Sequence, residues 1–410
     1  MARILFLAHR VPFPPNKGDK IRAYHELMHL AQQHDIWLGA GADDPADLEH
    51  LADAKRRFRD AYFGLPGLAQ TALNLGRAAL DGTPLSVARF HHPGLMRWCG
   101  HVLGEIRPDL VFVFSSAAAR FVLGRMRANT KLVADFVDAD AEKWRAYEET
   151  SSPPQRWLYG MEFRRLVRFE ARVAAAAATG IFVSETERNI FAGLIPEAAP
   201  RLRVVPNGVD TDFFKPDPQF GPVEPGGIVF SGTMDYKPNI DAVTWFARDI
   251  LPLIRLRFPS AHLKIVGAKP AAAVLALAKL DGVEVVGSVP DMRPYLQQAG
   301  VIVTPLKIAR GIQNKVLEGM AMARPVVTTP EALDGIMARP GIDLLVAKDA
   351  AAFAEKVTRI LAGQAPADLG ENARATVIRH HSWSHHLDTL DQLIARALHD
   401  GSSQAAADER

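Results

Sequence analysis

The chain alternates short, uninterrupted apolar runs with helix-like stretches, and it does so in two successive series. Ile4 to Ala8, Ile36 to Ala40, Leu110 to Phe114, Leu132 to Phe136 and Gly180 to Val183 form the first series, closed by Arg203-Val204-Val205-Pro206. Runs of this length without polar alternation fit strands covered on both faces, as in parallel sheets. Between them, Asp19 to Gln33 carries apolar residues at helical spacing (Ile21, Tyr24, Leu27, Met28, Ala31). A Pro/Gly-rich stretch, from Lys215-Pro216-Asp217-Pro218 to Pro225-Gly226-Gly227, then reads as a linker. Beyond it the rhythm restarts with Ile228 to Ser231, Leu263 to Val266, Val283 to Val286, Val301 to Thr304, Val326 to Thr328 and Leu344 to Val346. Helices are expected at Ile240 to Ile250, Lys315 to Met322 and Ala350 to Leu361.

Two βαβ series predict two doubly wound, Rossmann-like α/β domains facing across a cleft, with ligands at the carboxyl ends of the strands. The expected division is 1–215 and 216–384. A last helix at about 385–398 packs back on the first domain, and 399–410 is a frayed tail.

Composition narrows the function. The 410 residues carry a net charge of +2, too near neutral to argue for nucleic acid. The one cysteine excludes a disulfide framework and a cysteine-based zinc cluster. No apolar run approaches the ~18 residues of a membrane span, and the stretch from Met1 to Ala8 is too short for a signal peptide. The expected location is the cytoplasm. The basic-aromatic run Lys55-Arg56-Arg57-Phe58-Arg59 offers a peripheral contact with the inner membrane surface, or simply a solvated helix face. His91-His92 and His380-His381…His385-His386 read as surface polar residues before metal ligands. Neither GxGxxG after a strand nor GxxxxGK[ST] is present, so dinucleotide and P-loop chemistry lack their fingerprints.

The densest chemical signal runs from Thr304 to Ala321. A strand ends, a loop containing Gly311 follows, and a helix begins near Asn314. Amides at a helix start bind anions, and Arg310 and Lys315 add two cations, with Gln313 and Asn314 beside them. Asn314 is expected to cap the helix. Glu318, one turn in, suits the vicinal hydroxyls of a ribose; the plainer alternative pairs it with Lys315 or Lys307 on a solvated surface. Gly232 and Gly287, each after a strand, let backbone approach a ligand.

In the first half, the loop Pro12 to Lys20 holds Asn16, Lys17, Gly18 and Asp19. Gly18 permits close ligand approach, whereas Asp19 serves equally as a helix cap. The run Asp135-Phe136-Val137-Asp138-Ala139-Asp140-Ala141-Glu142 crowds carboxylates after a strand. Asp138 there could orient or deprotonate a hydroxyl, hold a metal, or cap a helix, as could Asp140. Ser184 to Glu187 reads as a capping box.

The segment from Asn314 to Val327 resembles the donor-site signature of glycosyltransferase family 4, of the GT-B fold. Val205-Pro206-Asn207-Gly208-Val209-Asp210 is similar to that family's domain junction, and Lys264-Ile265-Val266-Gly267 to its second-domain strand. Leu7 to Arg22 and Phe230 to Asn239 resemble a narrower group, the sugar transferases of exosortase (PEP-CTERM) exopolysaccharide systems.

The resemblance implies a metal-independent, retaining hexosyltransferase without a cofactor. It moves sugar from a nucleoside diphosphate to a hydroxyl of a glycan or lipid-linked acceptor. Taken with the residues' own chemistry, which sets Arg310 and Lys315 at the phosphates, the expected site has Gly18, Gly232, Gly287, Gly311, Gln313, Asn314 and Glu318 at the donor, and Asn16, Lys17 and Asp19 on the acceptor side. Arg310 stands where the family's EX7E pattern has its first glutamate, and the phosphate-binding Arg and Lys of the loop at Gly232 are missing, leaving Lys237 as a weaker substitute. The alternatives are a nucleotide-sugar epimerase or phosphorylase on the same fold, or a two-lobed binding or scaffold protein.

Overall fold

The computed structural model of the protein describes residues 1–15, 18–309 and 312–408, without the side chains of Asp19 and of residues 400–408. Two compact units emerge: Met1–Pro206 together with the chain from Leu387 onward, and Asn207–His386.

The first unit is built on a seven-stranded sheet ordered β3-β2-β1-β4-β5-β6-β7. Its strands are β1 (Arg3–Ala8), β2 (Asp35–Gly41), β3 (Asp60–Gly64), β4 (Leu110–Phe114), β5 (Lys131–Val137), β6 (Thr179–Phe182) and β7 (Leu202–Val204). The second unit has six strands ordered β10-β9-β8-β11-β12-β13. These are β8 (Gly227–Ser231), β9 (His262–Val266), β10 (Val283–Gly287), β11 (Val301–Thr304), β12 (Val326–Thr328) and β13 (Leu345–Val346). Every pairing is parallel. Both sheets are therefore doubly wound, with the order reversing between β1 and β4 in one and between β8 and β11 in the other. Helices cover the faces, and the uninterrupted apolar runs lie in the cores: Leu110 through Phe114 is at most 1% exposed throughout.

Asn207–Lys215, which the sequence pattern groups with the first half, packs within the second unit. The Val209 amide donates to the His381 carbonyl (2.7 Å). Arg374 donates to the carbonyls of Phe214 (2.9 Å) and Thr211 (3.1 Å). The helix Trp383–Asp408 then carries the chain to the first unit, where Asp391 meets His29 and Gln33 of α1 (Gly18–Gln33), each at 2.9 Å.

The basic-aromatic run does not form an aromatic surface patch. Phe58 is buried, Arg56 and Arg59 pair with Asp53 and Asp35, and Arg57 points to the Met28 sulfur. At the His380–His386 run, His381 is buried and accepts from the Met337 amide (2.9 Å). Burial holds its imidazole down at about 4, so it stays neutral as a structural acceptor.

Strand ends in the second unit depend on glycine. Gly232 and Gly267, following β8 and β9, have φ of 150° and 153°, and the Gly267 amide donates to the Gly287 carbonyl (2.8 Å). A Cβ at Gly267 would collide with the Gly232 carbonyl oxygen. Gly267→Ala is therefore expected to destabilise the protein by ~2–4 kcal/mol, read as a lower urea midpoint at unchanged slope.

Candidate functional site

In the second unit, Gly232, Gln313, Asn314, Lys315 and Glu318, all singled out in sequence, lie at the strand-order reversal between β8 and β11. Val301 pairs with Ile228 and Ile302 with Val229, and the same register carried forward sets Thr304 level with Ser231 at the carboxyl ends of β11 and β8. Both are buried, and both hydroxyl oxygens, Ser231 Oγ and Thr304 Oγ1, have no hydrogen-bond partner among the described residues. The helix Asn314–Ala321 starts beside them.

Asn314 does not cap this helix. Gln313 occupies the cap position, and its side chain makes no cap hydrogen bond. Asn314 is the first helical residue, and its Oδ1 is buried without a partner. The sequence misplaced the cap by one residue because the segment upstream has no apolar periodicity to fix the helix phase. No side-chain cap bond closes the helix start, although the Val316 amide donates to the Gln313 carbonyl (2.9 Å), and three polar oxygens nearby are unsatisfied among the described residues. Buried polar atoms normally find partners, so a cluster of orphans marks where a ligand's polar groups fit.

Lys315 crosses this space. Its Nζ donates to Asn239 Oδ1 (2.5 Å) and lies 4.8 Å from the centre of the Phe230 ring. Asn239, 5% exposed, donates in turn to the Thr233 carbonyl (2.8 Å). Gly232 is the floor: a Cβ there would sit 3.0 Å from Lys315 Nζ and 2.9 Å from Asn239 Nδ2. Loss of hydration lowers the Lys315 ammonium to about 8, against the attraction of Glu318. Asn239 is a residue that sequence reasoning missed. Following Pro238 at a helix start, it reads as an ordinary polar surface position, and only the fold brings it to Lys315.

Glu318 stands one turn further along the same helix. The residue keeps partial surface exposure, but loss of hydration at its carboxyl dominates and, opposed by Lys315, raises it to about 7. The alternative surface pairing with Lys307 does not form, since Lys307 lies over the Trp245 ring at 4.2 Å. Lys237 is spent on Asp241 (2.5 Å). Gly287, with φ 82° and open space where a Cβ would stand, ends β10. Arg310 and Gly311 lie outside the described residues.

In the first unit, Asn16 and Lys17 lie outside the described residues. Gly18 opens α1, with nothing among the described residues within 4 Å of a Cβ position. Asp19 is thus inside the first turn rather than its cap. The carboxylates after β5 divide into two groups. Asp135 is fully buried and accepts from Arg22 Nε (2.7 Å) and from the Val137 amide (2.8 Å). Arg22, itself 1% exposed, also donates to the Val205 carbonyl (2.8 Å) and pairs with Glu26 (3.1 Å). Burial holds the Glu26 carboxyl well above its usual range. Val137 is left-handed at φ 69°, as is Ser115 at φ 70° after β4, a strained state for residues with a Cβ.

Asp138, released beyond this strained turn, keeps an exposed face. Its carboxyl is nevertheless raised to about 6, by lost hydration first and then by Glu187, Asp140 and Asp135. With an exposed face, the repulsion of those carboxylates is the sounder cause. Neither Asp138 nor Asp140 caps the next helix, Asp140–Thr150, whose cap is Ala139. Glu187 reaches across instead and accepts from the Ala139 amide (2.9 Å). The capping box is therefore only half formed: Ser184 accepts from the Glu187 amide (3.2 Å). Among the described residues, no group of three His, Cys, Asp or Glu side chains is arranged to hold a metal ion.

Residues 225–363 match the family described as glycosyl transferases group 1. Solved structures share the architecture over nearly the whole chain. HepE from Anabaena, solved with UDP, is 15% identical, with 96% of this chain and 100% of that chain covered at a TM-score of 0.63. Sucrose-phosphate synthase from Thermosynechococcus elongatus is 17% identical, covering 97% and 99% at 0.67. A variant of S. aureus TarM, solved with fondaparinux, α-GlcNAc-glycerol and UDP, is 10% identical, covering 96% and 99% at 0.65. Identities this low establish the shared fold, a two-domain α/β architecture of the GT-B kind. No curated protein matches the chain.

Two stability changes follow from these half-buried charges. Asn239→Leu strips Lys315 of its acceptor and is expected to cost ~1–3 kcal/mol. Glu318 has a folded-state value raised from 4.5 to about 7, so its penalty is absent below the lower value and complete above the upper. Glu318→Gln is expected to stabilise the ligand-free protein by ~1–2 kcal/mol above pH ~7, after discounting for its partial exposure, and by little near pH ~4. Thermal melts across pH check both.

Proposed function

We propose that the protein transfers a sugar from a nucleoside diphosphate to an acceptor hydroxyl. The observation that carries this reading is the second-unit crevice, in which a half-buried lysine, a helix start whose cap residue makes no side-chain bond, and orphaned acceptors share one glycine-floored space. Pyrophosphate fits the helix amides and Lys315, with Arg310 a further cation by sequence. Glu318, one turn on, accepts from the ribose hydroxyls. The match of residues 225–363 to group 1 glycosyl transferases supports the assignment, and the solved complex of Anabaena HepE with UDP-glucose supports a nucleotide-sugar donor.

Departure of the nucleotide leaves negative charge on its terminal phosphate. Lys315 and the helix amides stabilise that charge as it develops, an effect enlarged where water is scarce. Neutralisation by side chains makes the proposed reaction independent of a metal. Asp138, held near 6, is suited to orient or accept the proton of an acceptor hydroxyl near neutral pH. His9, whose ring stacks on Phe114, and Asp140 complete the same strand ends. Retention at the anomeric carbon, a hexosyl donor, a cytoplasmic setting and a glycan or lipid-linked acceptor in exopolysaccharide assembly rest on the family resemblance of the donor signature. Arg310 in place of the first EX7E glutamate leaves the donor sugar to be recognised by other groups.

Incubation with a panel of nucleotide sugars, with product and hydrolysis detected by mass spectrometry, tests the proposal. Transfer or hydrolysis of one donor is expected; inertness toward all, with no binding of UDP, GDP or ADP in calorimetry, would leave a scaffold. Lys315→Ala should lower turnover ~10²–10³-fold with the fold intact. Because Lys315 is charged only below about 8, nucleoside diphosphate affinity should fall as pH rises through that value, and Lys315→Arg should flatten the fall.

A further inference from the structure

The helix Leu68–Asp81 in the first unit is inside out. Its inward face carries the polar Asn74, 4% exposed and donating to the His91 carbonyl (2.8 Å), next to Ala78. Its outward face is largely apolar: Leu68, Leu73 and Leu80 are 93%, 49% and 91% exposed, Ala69, Ala72 and Ala79 lie exposed between them, and Arg77 is the exposed cation beside them. At ~1.5 Å per residue this stripe runs ~20 Å. A hydrophobic face of that length turned to water marks an interaction surface rather than a solvated helix.

At the carboxyl end of the same helix lies a cavity of about 380 Å³, bordered by Asp81, Gly82 and Thr83 and lined by Arg120, Arg165, Arg168 and Arg172. Asp81 is the one acid among its lining residues. Arg165 ties the cavity to the helix, donating to the carbonyls of Ala78 (2.9 Å) and Ala79 (3.2 Å). Arg120 Nη1 is buried without a partner. Arg168 and Arg172 project from one helix, Gln155–Ala176, at a spacing of four residues, where like charges repel. Arg164, one step earlier, continues the row. Four guanidinium groups around one hollow call for an anion of more than one charge.

We propose that this face docks on an anionic phospholipid bilayer, the leucine stripe entering the headgroup boundary while the arginine cavity holds lipid phosphates. The apolar face and the cationic hollow meet at one helix end, the combination an interfacial anchor requires. Under the proposed function, such docking would bring the enzyme to a lipid-borne acceptor, but the surface itself is independent of that reading.

Sedimentation of the full chain with phosphatidylglycerol vesicles, with phosphatidylcholine vesicles and without lipid is the test. Binding to the anionic vesicles is expected, weakened by salt and by at least ~tenfold on neutral ones. Leu68→Glu with Leu80→Glu should abolish it. Arg168→Ala with Arg172→Ala should reduce it ~tenfold or more, and inorganic pyrophosphate should compete if the cavity grips phosphate. Nucleoside diphosphate binding, measured by calorimetry, should be unchanged in all these variants, which also reports that they fold. No sedimentation with either vesicle would overturn the proposal, as would equal binding to both. So would a lipid-free dimer that Leu80→Glu converts to a monomer, since the face would then be covered by a second copy.

Discussion

A half-buried ammonium held by a neutral amide is the arrangement on which the second unit's chemistry depends. Lys315 is drawn to Asn239 rather than to a carboxylate, so its charge is only partly compensated and its proton is loosely held. An ion pair at that position would have neutralised the site in advance of any ligand. The amide instead fixes the side chain while leaving its field to act on an incoming anion. Gly232 makes the arrangement possible, because a side chain there would press on both partners. Glu318 carries the complementary cost: a carboxyl raised toward neutrality when no ligand is present to donate to it. Stability surrendered at two neighbouring charges is the usual mark of a site prepared for binding.

The first unit stores its constraint differently. Arg22 threads α1 to β5 and to the Val205 carbonyl, and Asp135, gripped by Arg22, holds the Val137 amide. That grip maintains a β-branched residue at φ 69°, a conformation the chain would otherwise leave. The turn in turn sets where Asp138 emerges among Glu187 and Asp140. One buried guanidinium thus determines the position of an acid several residues away, and the strain at Val137 and Ser115 falls at the carboxyl ends of adjacent strands, where an α/β sheet places its ligands.

Much of this was legible because parallel strands are buried on both faces. The runs at Leu110, Val301 and Val326 announce themselves, and the structure begins and ends those strands where the apolar residues do. β3 was not legible: Asp60 opens it, and at the sheet edge two of its five residues, Asp60 and Tyr62, are only half-buried. The helix at Leu68 conceals itself for the opposite reason, since its apolar residues face outward and its polar Asn74 faces in, against the pattern periodicity assumes. At the site, residue types were readable but partners were not. Lys315 and Glu318 could be assigned to one helix face by spacing alone, whereas Asn239, 76 positions away from Lys315, is brought there only by the sheet order. The half-formed capping box shows the same limit, because Glu187 abandons its local partner for an amide 48 residues distant.

A crystal structure of the full chain bound to a nucleoside diphosphate decides whether the second-unit site holds the donor. The terminal phosphate is expected within hydrogen-bond reach of Lys315 Nζ and of the amides that open the Asn314 helix, with the Glu318 carboxylate accepting from both ribose hydroxyls. A nucleotide bound elsewhere, or one that leaves Lys315 on Asn239 and Glu318 without contact, would contradict it.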